Sequence, residues 1–187
     1  MAAFDLQGRT ALVTGGFSGL GRHFAGVLAA NGARVALIGR RIELGREVAA
    51  AIGAASGRPA DVRAYRADVK DAQSVADAFR QARAELGVPT IVVNNAGTVA
   101  RGPSIELADD AWSDVVDVNL SGVFRVAQAA AREMVKAGQA LIARVPQQRV
   151  GQLAELDGPL LLLASDASAY MTGAVIPVDG GHLVNSL

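Results

Sequence analysis

The sequence predicts an α/β protein: a doubly wound parallel sheet with helices on both faces, a three-layer αβα arrangement. Two observations carry this. Short apolar runs with strand character alternate with longer stretches of helical periodicity, the pattern of parallel strands joined by right-handed crossovers. The composition agrees: 51% of residues are hydrophobic but only 4% aromatic, so the core is built from Ala, Val, Leu and Ile, as buried parallel strands require. At 187 residues the chain is expected to form one domain spanning 1–187, long enough to bury a real core.

Thr10 to Val13 reads as the first strand, entering the turn Thr14-Gly15-Gly16-Phe17-Ser18-Gly19-Leu20-Gly21. The helix after it carries Leu20, Phe24, Val27 and Leu28 on one face, expected to face the core, and ends at Asn31-Gly32. Arg34 to Ile38 is a second strand, followed by a helix reaching about Ile52. Val62 to Ala67 is a third strand running into Asp68-Val69. Ser74 is the expected cap of the next helix, whose apolar face is Val75, Phe79, Ala82 and Leu86. Thr90 to Val93 is a fourth strand, ending at Asn94-Asn95-Ala96-Gly97. From Asp109 a longer helical region runs through Trp112, Val115, Val116, Val118, Phe124 and Val126 to about Ala137, with Gly122 placed to bend or divide it.

After Gly138-Gln139 the rhythm fails. The pattern asks for a strand, but Ala140 to Gly151 is short, basic and loop-like. A helix from about Gln152 to Ala164 follows, with Pro159 tolerable only in its first turns. Val175 to Val178 reads as a last strand, at a sheet edge because Pro177 cannot donate to a ladder.

The 18 basic and 18 acidic residues cancel, and neither sign runs in blocks, so no nucleic-acid or anionic-membrane partner is expected. No apolar run approaches the ~18 residues of a membrane helix, and Met1 to Gln7 lacks the pattern of a signal peptide. The absence of cysteine is compatible with a cytoplasmic location. The chemistry begins at the glycine turn. Strand, glycines, helix: that order aims backbone N–H groups at the positive end of a helix, where a phosphate binds.

The turn's spacing, T-G-x-x-x-G-x-G, is that of the short-chain dehydrogenase/reductase family. Asn94-Asn95-Ala96-Gly97, Asp117-Val118-Asn119-Leu120 and Asp68-Val69 match further family motifs. So does the tail, from Leu163-Ala164-Ser165-Asp166 to Val178-Asp179-Gly180-Gly181. The chain resembles that family in family order over nearly its whole length. The resemblance implies a Rossmann-like fold and NAD(P)-dependent interconversion of a carbonyl and a secondary alcohol on a small molecule. It also implies a homotetramer or homodimer. The face around Trp112 and Phe124 to Val126 could then lie between subunits or against the chain's own sheet.

The resemblance further implies that the backbone around Gly15, Ser18, Gly19 and Leu20 holds the cofactor's pyrophosphate. Asp68 would accept from the adenine amino group, with Val69 beside the ring. Asn95, Ala96 and Gly97 would support the ribose side, and the backbone of Asn119 would hold a water in a proton relay. At the end of the second strand, an acidic residue would bind a ribose 2′-hydroxyl. Gly39 stands there instead, followed by Arg40 and Arg41, which can grip a 2′-phosphate or simply begin an exposed helix. NADP is therefore expected over NAD.

The family's serine and its Tyr-x-x-x-Lys pair are missing. Four residues after Tyr65 stands Val69, four after Tyr170 stands Ala174, and the only lysines are Lys70 and Lys136. The gap is localised where Gln139 meets Ala140, and two strands with their crossovers would need on the order of 60 residues. Either the segment belongs to the molecule without being among these residues, or it is truly deleted, leaving an inactive dinucleotide-binding or interaction protein. The first predicts a Cα step at Gln139–Ala140 well beyond ~3.8 Å. It also predicts a last strand about three strand spacings, ~14 Å, from the fourth.

Overall fold

A computed structural model describes residues 5–136 together with 154, 157–164 and 176. The chain divides into two compact units, Met1–Ala137 and Gly138–Leu187, a boundary two residues from the Gln139–Ala140 junction. That junction, Tyr170 and the expected last strand lie outside the described residues, apart from Ile176.

In the first unit, strands β1 (Thr10–Thr14), β2 (Arg34–Gly39), β3 (Val62–Arg66) and β4 (Ile91–Val93) form one parallel sheet in the order β3-β2-β1-β4. Registers such as Leu12↔Ala36 and Leu12↔Val92 place β1 at its centre. Helices α1 (Gly19–Ala30) and α2 (Ile42–Ala55) precede β2 and β3; α3 (Ala72–Leu86) precedes β4. After β4 come α4 (Asp109–Val116), a π turn (Asp117–Ser121) and α5 (Gly122–Lys136).

The side-chain alternation of the strands sorts two cores. Ala11, Val13, Val35 and Leu37 pack with Ala25, Ala29, Val48 and Ile52 of α1 and α2. Leu12, Ala36 and Ile38 pack with Val75, Phe79, Val126 and Ala129 of α3 and α5. The expected three layers are present, and β1 is buried on both faces, which is why it reads as an unbroken apolar run.

Two details differ from the sequence expectation. The buried face of α1 is Gly21, Ala25 and Ala29, while Leu20 is 67% and Val27 48% exposed. Close approach of the helix to the sheet favours small residues there, and of the expected face only Leu28 packs, half-buried, against this core. The cap of α3 is Asp71, which accepts from the backbone N–H groups of Gln73 and Ser74 at 2.9 and 3.2 Å. Ser74 serves the loop instead: its hydroxyl accepts from Asp68 N at 3.2 Å. The helical region after Asp109 is divided as Gly122 led us to expect, by the π turn directly before it. Trp112 and Phe124 are exposed (59% and 50%), whereas Val126 is buried.

In the second unit, α6 (Asp157–Ala164) carries Pro159 in its first turn, where a missing N–H costs nothing.

Candidate functional site

Open parallel sheets bind ligands outside the carboxyl ends of their strands, at the point where strand order reverses. Here that point lies between β1 and β4. A cleft of about 530 Å³ opens there, lined by the ends of β1 and β2, the segment after β3 and the segment after β4.

The glycine turn forms one wall. Gly15 and Gly19 have φ of +63° and +52°, backbone that L side chains rarely adopt. A Cβ at Gly19 would meet nothing within 4 Å, so this glycine is there for its conformation and the space beyond it is open. Ser18, the N-cap of α1, is extended, and its side chain makes no capping hydrogen bond. The first-turn amides of a 12-residue helix thus receive no capping bond from Ser18. These residues fit a dinucleotide pyrophosphate, which would be held by the amides and the helix dipole.

Gly21 has the opposite reason. A Cβ there would lie 2.3 Å from the Gly15 carbonyl oxygen and 2.5 Å from Asn95 Nδ2. The helix start, the turn and the segment after β4 are locked together here. Asn95 Nδ2 donates to the carbonyl oxygens of Thr14 (3.0 Å) and Gly15 (3.3 Å). Thr14 Oγ1 accepts from Asn95 N at 3.1 Å and Ala96 N at 3.0 Å, and donates to the Val93 carbonyl at 3.4 Å. Asn95 therefore braces the turn with its side chain and does not line the cleft.

Another wall comes from the segment after β3. Asp68 and Val69 line it. One carboxylate oxygen of Asp68 accepts from Lys70 N at 3.0 Å, fixing the loop's curl. Val69 is held from behind: a Cβ at Gly122 would lie 2.9 Å from Val69 Cγ2, so glycine lets α5 pack against it. Arg125 bridges the same elements, donating to the Val69 carbonyl at 3.3 Å and pairing with Asp117 at 2.8 Å. At the mouth, Lys70 Nζ pairs with Asp114 Oδ1 at 2.5 Å, and that carboxylate raises the lysine pKa. Arg40 and Arg41 stand at the end of β2, and neither forms a salt bridge among the described residues.

The structure gathers Gly15, Ser18, Arg40, Asp68, Val69, Ala96 and Gly97 around one cleft. Gly19 and Leu20 sit beside it at the start of α1. Asn119 lies in the π turn and grips Thr98 with both side-chain atoms: Oδ1 accepts from Thr98 N at 2.8 Å, and Nδ2 donates to the Thr98 carbonyl at 2.9 Å. A single π turn inside an α-helical run is a frequent mark of a functional site. Sequence reasoning missed Thr14, Phe17, Thr98, Lys70 and Asp114. Thr14 was legible as the residue opening the glycine motif; the others have no local signal. Among the described residues there is no cluster of metal-ligating side chains, and no helix is long and apolar enough to cross a membrane.

Comparison with known proteins agrees with this geometry. Residues 9–147 match the short chain dehydrogenase family. D-threitol dehydrogenase of Mycolicibacterium smegmatis is 37% identical over 145 residues, 78% of this chain and 55% of that protein. 2-Dehydro-3-deoxy-D-gluconate 5-dehydrogenase of Pseudoalteromonas atlantica is 28% identical over 251 residues, covering 96% of this chain and 98% of that protein. Because this chain has 187 residues, at least 64 of those 251 positions (251 less 187) face no residue of it. A variant of actinorhodin polyketide ketoreductase, solved with NADPH, superposes with a TM-score of 0.64 at 32% identity. That match covers 70% of this chain and 49% of the ketoreductase. The chain thus spans about half the length of the threitol dehydrogenase and of the ketoreductase. A parallel sheet in this order, a glycine turn at its switch point and these matches place the chain in the short-chain dehydrogenase/reductase family, whose members are NAD(P)-dependent oxidoreductases.

Proposed function

We propose that this protein binds NADP in preference to NAD and serves an oxidoreductase that interconverts a carbonyl and a secondary alcohol on a small molecule. The observation that carries this is the cleft itself: a helix N-terminus that Ser18 does not cap at one wall, and two arginines at the end of β2 that form no salt bridge among the described residues. The amides around Gly15, Ser18, Gly19 and Leu20 hold the pyrophosphate. Asp68 accepts from the adenine amino group and Val69 packs on the ring. Arg40 takes the 2′-phosphate, to which a guanidinium offers a charge-assisted pair of hydrogen bonds. Ala96 and Gly97 line the ribose side. NADPH bound to the related ketoreductase supports the choice.

When bound, the nicotinamide supplies or accepts the hydride. This chain's share of the proton transfer rests on Asn119. Its side chain is spent on Thr98, which leaves its backbone in the π turn to hold a water of the relay. The general acid is another matter. Tyr65 is buried on β3, donates to Glu85 at 3.2 Å, and is pushed well above its ordinary pKa by burial and then by the Glu85 carboxylate. It is a core residue. The 64 or more unmatched positions of the Pseudoalteromonas relative are about the length of the segment that the motif order misses where Gln139 meets Ala140, which supports the reading that the working molecule carries it. The exposed Trp112 and Phe124 support a homotetramer or homodimer.

Intact mass and NADPH oxidation over a carbonyl panel test this. A mass several kilodaltons above 19.2 kDa, with turnover, is expected. A mass of 19.2 kDa with tight NADP binding but no turnover would leave a non-catalytic dinucleotide-binding protein.

A further inference from the structure

Phe17 lies inside the glycine turn, yet its ring is buried and borders the cleft beside Gly39. The ring is wedged between two glycines. A Cβ at Gly39 would lie 2.7 Å from its Cδ2 and 2.8 Å from its Cε2. A Cβ at Gly45, in the first turns of α2, would lie 2.5 Å from its Cζ and 2.6 Å from its Cε1. All four separations are shorter than real Cβ contacts. The ring cannot move straight away from Gly39 without pressing further into α2, so a side chain at 39 would have to push it out toward the cleft. With the Phe17 ring in this position, only glycine fits at 39.

Position 39 closes β2, where an acidic side chain would meet a ribose 2′-hydroxyl and repel a 2′-phosphate. We propose that Phe17 is a specificity-determining residue acting through this position. Its ring occupies the space of any side chain at 39, bars the carboxylate that selects NAD, and leaves Arg40 and Arg41 as the charges at that end of the cleft. The direction of the effect rests on the NADP reading above; the steric exclusion does not.

Four variants of the full chain test it: Gly39→Ala, Phe17→Ala, Phe17→Ala/Gly39→Ala and Phe17→Ala/Gly39→Asp, with Gly39→Asp as reference. Melting is followed for the alanine cycle, and NAD+ and NADP+ binding are titrated calorimetrically. Gly39→Ala is expected to lower Tm by several degrees when Phe17 is present and not at all when it is alanine. Gly39→Asp is expected to lose NADP+ without gaining NAD+, whereas Phe17→Ala/Gly39→Asp binds NAD+ at least roughly tenfold more tightly than Gly39→Asp. Two results would overturn the proposal: Gly39→Asp alone melting like wild type and taking NAD+ as tightly as the double variant, or Gly39→Ala costing the same with and without Phe17. Should the aspartate variants not fold, the alanine cycle decides. Wild-type protein holding NAD+ as tightly as NADP+ sinks the cofactor reading instead, and the exclusion at 39 then stands or falls on the alanine cycle alone.

Discussion

Gly21 and Tyr65 mark two kinds of constraint on single residues. A methyl group at Gly21 collides with backbone, the Gly15 carbonyl at 2.3 Å, and backbone cannot swing aside as a side-chain end can. Gly21→Ala should therefore cost about 1–3 kcal/mol in urea unfolding, in line with overpacked cores, and should weaken NADP+ binding by displacing the turn. Tyr65 is constrained by charge. Burial first and Glu85 second raise its pKa above the ordinary phenol value, so the folded chain holds that proton more tightly than the unfolded one. Its contribution is fully present below about pH 10, the unfolded phenol pKa, and is lost as pH rises beyond. Wild-type stability should fall more steeply above pH 10 than that of Tyr65→Phe; parallel curves would show that Tyr65 ionises as freely folded as unfolded.

Elements show which signals in a sequence are strong. The apolar face of α3 is read correctly from spacing: Val75, Phe79, Ala82 and Leu86 are all buried. The start of α3 is not. Asp71 and Ser74 are both good capping residues, and only the hydrogen bonds show that Asp71 caps while Ser74 holds Asp68. Asp71→Ala should cost about 1 kcal/mol of stability. Ser74→Ala should cost less, yet weaken dinucleotide binding by loosening Asp68; equal effects on both measurements for both variants would refute the division of labour. In α1, hydrophobic spacing points at Leu20, Phe24, Val27 and Leu28, but the helix buries Gly21, Ala25 and Ala29, and of the four only Leu28 packs, half-buried, against the core. Apolar periodicity ranks large side chains highest, whereas a helix drawn close to a sheet by a tight turn buries small ones fully.

For the whole molecule, a ligand that binds only the folded state raises its stability by an amount set by concentration over Kd, about 2.7 kcal/mol at a hundredfold excess over Kd. NADP+ should therefore raise Tm more than equimolar NAD+, and Arg40→Ala should erase most of the difference; an undiminished difference would move the 2′-phosphate to another residue. The succession of strands and helices, the glycine turn and the family resemblance were determined by the sequence itself, because strand periodicity and motif spacing are local properties that need no partner to be read, whereas the sheet order β3-β2-β1-β4 was not. The tertiary structure alone decided that Asn95 and Asn119 spend their side chains as braces, that α1 buries its small residues, and that the ring of Phe17 fills position 39. Each of these depends on segments distant in sequence meeting within a few ångströms, where excluded volume and hydrogen-bond geometry, not hydrophobicity, choose the contact.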